Sequence, residues 1–261
     1  MKEYTQADFD AFEVIDGIKQ CPSGDYSDIQ IFGERCSFGE RCSFGERCSF
    51  GKECSFGEEC SFGKWCSFGK WCSFGEDCSF GEYCSFGKWC SFSDKCSFGE
   101  ECSFGEECSF GEECSFGKWC SFSDKCSFGE RCSFGEECSF GERCSFGKRC
   151  SFGKWCSFGK WCSFGEDCFF GEECFFGEEC SFEGKGEYIG DYPFLAFVGF
   201  GSRIGSKVYF FNLQDGIYVR CGCWLSDIAG FRERVKAENA DAMYLDLCDL
   251  VERKFNQKNY K

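Results

Sequence analysis

The sequence predicts an all-β solenoid, a triangular parallel coil of eighteen residues per turn, followed by a small C-terminal α+β domain. Three observations carry that expectation. A six-residue unit, Cys-Ser-Phe-Gly-(Glu/Lys)-variable, recurs without a break from Cys36 to Phe182, and self-similarity at a short fixed period marks a solenoid. Its cysteine and phenylalanine stand two apart, so an extended segment projects both to one side and serine to the other. Beyond Glu183 the repeat gives way to alternating apolar runs and then to helical spacing.

Taken in chain order, residues 1–29 read as an N-terminal cap. Phe9, Phe12, Ile15 and Ile18 recur at roughly helical spacing, with Thr5 as a helix start. Residues 30–182, opening on "QIFGER", form the solenoid. Glycine permits the backbone to turn, two charged or aromatic residues follow at the corner, and three short strands close one coil. Eight to nine such coils would make a rod of about 40 Å at ~4.8 Å per coil. Its core would be columns of phenylalanine flanked by columns of cysteine. At two places, "SDK" at 93–95 and 123–125, serine replaces the repeat glycine, a change read as a tolerated turn. Residues 183–192 form a linker, and 193–261 the terminal domain. There "FLAFVGFG", "KVYFFNLQ" and "IYVRCGCW" alternate like strands, joined by "SRIGS" and by a turn at Asp215-Gly216. Ser226 opens a helix with Ile228, Phe231 and Val235 on one face. A second helix gathers Tyr244, Leu247, Cys248, Val251 and Phe255.

The pattern small–x–bulky apolar–Gly–x–x resembles the hexapeptide repeat of left-handed parallel β-helices, with cysteine at the small inward position and phenylalanine at the large one. The resemblance covers about sixty per cent of the chain. The array is also similar to uncharacterised "CSFG" arrays of gut bacteria and their phages, a similarity that implies no activity. Many left-handed β-helix proteins are acyltransferases, commonly trimeric, so the resemblance raises that activity. The residues argue against it: such enzymes usually use histidine as general base, and this chain has none. Loop insertions that would build a substrate pocket are also missing from the coils. The expectation is a non-enzyme with no catalytic residue, no cofactor and no small-molecule substrate.

Of 29 cysteines, 25 lie six apart from Cys36 to Cys180. Zinc sites use a few close pairs and a longer gap, so no metal site is expected. Cysteines stacked on successive coils have parallel Cβ directions, which makes bridges between them strained; buried thiols are the simpler reading. The acidic start "MKEYTQADFDAFEVIDG" lacks the features of a signal peptide, and no apolar run is long enough for a membrane helix. A cytoplasmic setting with reduced thiols follows as the expectation. Cys221-Gly-Cys223 lacks metal or redox spacing, and "GFGSRIGS" at 199–206 leads into a strand rather than a helix, so neither marks a site.

Net charge is −16. Residues 1–29 carry two basic and seven acidic side chains, and the paired corner positions 34–179 carry sixteen and twenty-seven. An acidic rod lacks the basic footprint that phosphate requires, so the expected partner is a protein or a second copy, with no nucleic acid and no membrane. The candidate interaction surface comprises Trp65, Trp71 and Trp89 at corners and the outward Phe169 and Phe175 of "CFFGEECFFGEEC". Counting by eighteen stacks Trp71 on Trp89 and Trp65 on Tyr83. The run Glu100, Glu101, Glu106, Glu107, Glu112 and Glu113 could imitate nucleic acid. Two functions are therefore carried forward: a structural rod presenting a C-terminal protein-binding domain, and a phage-type decoy or inhibitor of a host protein, nucleic-acid-binding proteins included.

Overall fold

A computed structural model describes residues 1–165, 168–171, 174–177, 180–182, 194–198, 207–213, 216–221, 224–238, 240 and 242–256. The chain divides into two units, Met1–Gly177 and Glu178–Lys261.

The first unit is a parallel β-solenoid. Each hexad contributes one short strand, such as Ser103–Phe104, and each strand pairs in parallel with those eighteen residues away, Ser85↔Ser103↔Ser121. Three sheets result, one per side of a triangular coil. Coils are held by bonds such as Ser103 N–H to the Cys84 carbonyl and Gly105 N–H to the Phe86 carbonyl, both 2.9 Å.

Phenylalanine faces inward and serine outward, as the two-residue spacing requires. Phe104 stacks on Phe86 and Phe122 at 4.9 and 4.7 Å, each 2° from parallel. It meets Phe98 and Phe110 edge to face, both at 5.1 Å and at 87° and 85°. A ring in this core therefore contacts its own column by stacking and the other two columns by edges, both favoured geometries for aromatic quadrupoles.

The cysteines fill the remaining inward positions. From Cys54 to Cys174 each Sγ lies 3.3–3.5 Å from the carbonyl of the residue twenty-one earlier, as in Cys102 to Gly81 and Cys120 to Gly99. Among the described residues no backbone N–H reaches the carbonyls of Gly81 or Gly99, so the thiol donates the bond they would otherwise lack. Size explains a small residue at this position, and the S–H explains why it is cysteine.

The turning residue differs from the one the repeat leads one to expect. The array glycines from Gly33 to Gly177 do not adopt positive φ; the variable residue before each cysteine does, from Arg35 (56°) through Trp65 (58°) to Trp161 (57°). Non-glycine residues seldom occupy this region. Here the conformation is held by a bond to the next coil, for example Trp65 N–H to the Glu82 carbonyl at 2.9 Å. Glycine is required for a different reason: a Cβ on Gly135 would lie 2.7 Å from the Gly117 carbonyl carbon and from the Lys118 nitrogen. At Ser93 and Ser123, where glycine is replaced, the following aspartate supplies a compensating contact. Asp94 and Asp124 each accept a bond from the N–H eighteen residues on, Glu112 and Glu142, at 2.8 Å. Each carboxylate occupies the space left open by Gly111 or Gly141 of the next coil.

The start of the chain also departs from expectation. Thr5 does begin a helix, through a capping box with Asp8, but the helix is only Gln6–Asp10. Ile15 and Ile18 are not on its apolar face; they are exposed and face each other in a hairpin of Val14–Ile15 with Ile18–Cys21. Asp16 and Gly17 turn that hairpin at φ 51° and 78°, the left-handed pair that tight hairpins favour. Phe9 packs edge-on against Phe32 at 5.2 Å and closes the aromatic core. Tyr26, eighteen before Phe44, stacks on it at 5.4 Å, so coil geometry begins ahead of Gln30.

The second unit has an antiparallel sheet of four strands, Phe194–Val198, Lys207–Leu213, Gly216–Cys221 and Trp224–Asp227, in chain order. Two helices follow, Ile228–Ala237 and Met243–Asn256. Val208, Phe210 and Val219 from the sheet and Phe231, Val235, Tyr244, Leu247, Cys248 and Val251 from the helices form one core. The cap of the first helix is Asp227 rather than Ser226; its carboxylate accepts from Gly230 N–H at 2.7 Å. The fourth strand adds to the three read from the sequence.

Phe104→Ala should lower the stability of the solenoid by about 3–5 kcal/mol, whereas Ser103→Ala should change it by less than about 0.5 kcal/mol; chemical denaturation of the two variants measures the contrast. The two backbone roles separate in a second pair. Glu137→Gly, which relieves a left-handed residue, should be neutral or stabilising by up to about 1 kcal/mol. Gly135→Ala, which drives a methyl into the neighbouring coil, should lower the melting temperature. Equal effects from the two would overturn this division of labour.

Candidate interaction surface

The inward side chains of the solenoid are phenylalanine and cysteine, buried from Phe32 to Cys168, so a partner meets serines on the flat sides and paired residues at the corners. The eighteen-residue coil sorts those corners into columns. One column runs Arg35, Glu53, Trp71, Trp89, Glu107, Lys125, Arg143, Trp161; a second runs Arg47, Trp65, Tyr83, Glu101, Trp119, Glu137, Trp155. The third, from Arg41 to Arg149, has no aromatic residue.

Trp71 and Trp89 stack at 5.1 Å and 8°, and Trp65 and Tyr83 at 5.7 Å and 11°. The rings are about half exposed, Trp71 at 50% and Trp89 at 39%. Their other neighbours also come from the columns. The Arg47 guanidinium lies over Trp65 at 5.4 Å, and Trp89 Nε1 donates to Glu107 Oε2 at 3.1 Å. What these rings leave open to a partner is mainly edge rather than face.

The same spacing pairs opposite charges. Arg35–Glu53, Arg41–Glu59, Lys64–Glu82, Lys88–Glu106, Lys118–Glu136, Glu107–Lys125 and Glu113–Arg131 are each eighteen apart, at 2.7–3.0 Å. These ladders tie each coil to the next at the corners. They also thin out the run of three acidic corners, since Glu106, Glu107 and Glu113 all have cationic partners. Lys125, and after it the Trp89 N–H, hold the Glu107 carboxyl below the ordinary glutamate range. A further column carries Lys52, Lys70 and Lys88 one above another; the glutamates at its two ends draw on it, Glu34 pairing with Lys52 at 3.4 Å and Glu106 with Lys88 at 2.9 Å.

Phe169 and Phe175 lie in strands that pair with Ser151 and Ser157; their side chains lie outside the described residues. So do Cys223, the 199–206 run and the Asp215 turn position, while Cys221 ends a strand. Cys248 is buried in the helical core, and burial pushes its thiol up to about 11. Hydrogen bonding to Cys120, with burial adding, pushes Cys102 up to about 12. Neither thiol is poised as a nucleophile at neutral pH. No helix among the described residues is long and apolar enough to cross a membrane.

No curated protein and no solved structure matches the chain. A family model does: that of the RNA-binding, Nab2-type zinc finger, of CCCH type, matches in eleven overlapping stretches, from residues 32–51 to residues 155–171. Together they run across residues 32–171, a little over half of the chain. This finding overturns the expectation that nucleic acid is excluded as a partner. That expectation rested on total charge, which averages over local features such as the lysine column.

The metal that the family name implies is another matter. A Cys₃His site needs a histidine and four donors at tetrahedral corners; the sequence has no histidine. Among the described residues no three metal-binding side chains form a group that could hold an ion. The residues present do not fit zinc. By its sequence match the chain belongs to the RNA-binding, Nab2-type zinc-finger family, with a repeat that supplies cysteines to a solenoid core and no histidine to complete a metal site.

Proposed function

We propose that the protein is a non-catalytic interaction protein: a rigid, acidic β-solenoid that carries a C-terminal protein-binding domain. One observation carries this reading. The chemically reactive groups of the repeat, its thiols, are buried and hydrogen-bonded within the core, which leaves only corner and side residues to meet another molecule. The six-residue pattern supports kinship with left-handed hexapeptide-repeat β-helices and with phage-type "CSFG" arrays, and the many free thiols support a reducing, cytoplasmic setting. A decoy that occupies a host protein is a variant of the same reading, supported by the acidic corners.

A second reading, in which the partner is RNA, is favoured by the family match. The Lys52, Lys70 and Lys88 column is where phosphates would sit, and such binding weakens steeply with salt.

Capture of partners from a lysate, with mass spectrometry and nuclease treatment of the eluate, separates the two. On the protein reading, capture is nuclease-resistant, survives deletion of residues 96–113, which removes one whole coil, and is lost on removing residues 187–261. On the RNA reading, single-stranded RNA is retained at low salt and is released by Lys52→Glu with Lys70→Glu and Lys88→Glu. Retention of neither protein nor RNA would count against both.

A further inference from the structure

We infer that the repeat cysteines form a zinc-independent core, in which the thiol does the work of a small apolar side chain and of a hydrogen-bond donor, so that this chain folds without the metal its family's name implies.

The donor geometry is the first reason. Zinc takes its ligands at the corners of a tetrahedron, with sulfur about 2.3 Å from the metal. The array thiols instead repeat along the solenoid, one per strand, in three columns that follow the parallel register of the sheets. Cys84 has Cys66 and Cys102 as its neighbours in one column. A line of sulfurs does not enclose an ion.

The second reason is that the thiols are already engaged. Cys84, Cys90 and Cys96 reach the carbonyls of Gly63, Gly69 and Gly75 at 3.4–3.5 Å. Turning Sγ toward an ion would break that bond and leave a part-buried carbonyl without its donor. Thiolates are the zinc-binding form, and their charge would need compensation. The side chains nearest in sequence to Cys84 and Cys90 that could supply it, Lys88 and Lys95, are directed outward, Lys88 to Glu106. Cysteine exposure of 0–1% through the middle of the array also leaves an ion no route in.

The test uses the full chain, purified under a thiol reductant. Metal content is measured by mass spectrometry, thermal unfolding is followed by circular dichroism with and without EDTA, and native thiols are titrated with an aromatic disulfide reagent before and after denaturation. The expected result is far less than one zinc per chain, the same melting temperature with and without chelator, and array thiols that react only after denaturation. Zinc that the chelator strips without altering melting or thiol protection also supports the inference, because such an ion is not structural. Zinc retained at one or more per chain, with melting lowered or thiols exposed on chelation, overturns it. A second arm adds cobalt(II): absence of the visible absorption of tetrahedral thiolate coordination is expected, and its appearance on the native protein is the contrary outcome. Cys102→Val keeps the shape of the core and removes one donor. It should shift melting modestly and leave metal content unchanged, whereas loss of a bound ion on this substitution would assign Cys102 as a ligand.

Discussion

Aromatic stacking at the coil repeat sets the terms for the rest of the solenoid. Rings eighteen residues apart lie parallel at close to 4.8 Å, which is also the separation of hydrogen-bonded strands. One spacing therefore satisfies both the backbone ladder and the packing of the core. Anything that disturbs it is felt twice, once in ring contacts and once in hydrogen bonds. Glycine follows from that constraint, because coils this close leave no room for a Cβ at the strand end. So does the left-handed residue before each cysteine, whose N–H must point to the next coil.

Much of this was legible in the residues. Alternation of cysteine, serine and phenylalanine fixes which side is inward, and counting by eighteen places Trp71 on Trp89 before any coordinate is known. The same counting would have found Lys64 with Glu82 and Arg41 with Glu59, a signal present in the sequence but masked when charges are summed by segment. Total charge was likewise a poor guide to nucleic acid. It reports the average potential, while recognition depends on how a few side chains are grouped.

Other features were hidden for physical reasons. Ile15 and Ile18 are three apart and fit a helix by spacing alone, yet Asp16-Gly17 between them is a stronger local signal for a hairpin. Glycine was taken for the turning residue because it tolerates positive φ; here its value is the absence of a side chain, which can be seen only when coils are stacked. Cysteine is the subtlest case. Its spacing underlies both a match to a zinc-finger family and the packing of a solenoid. Which of these the thiols serve depends on the direction of each Sγ, which no count of residues contains.

The coil-to-coil bonds have a mechanical consequence. Each coil is tied to the next by the same set of backbone bonds, such as Gly99 to Phe80 and Gly117 to Phe98, and by one more layer of rings. Tension applied along the chain would peel coils from an end in sequence. Each step would break an equivalent set of contacts and free about 60 Å of slack as eighteen residues straighten. Resistance would stay nearly level over the whole extension instead of collapsing at a single yield point, and on release each coil would have a ready template to fold back onto. A solenoid built in this way would yield one coil at a time, in steps of equal size.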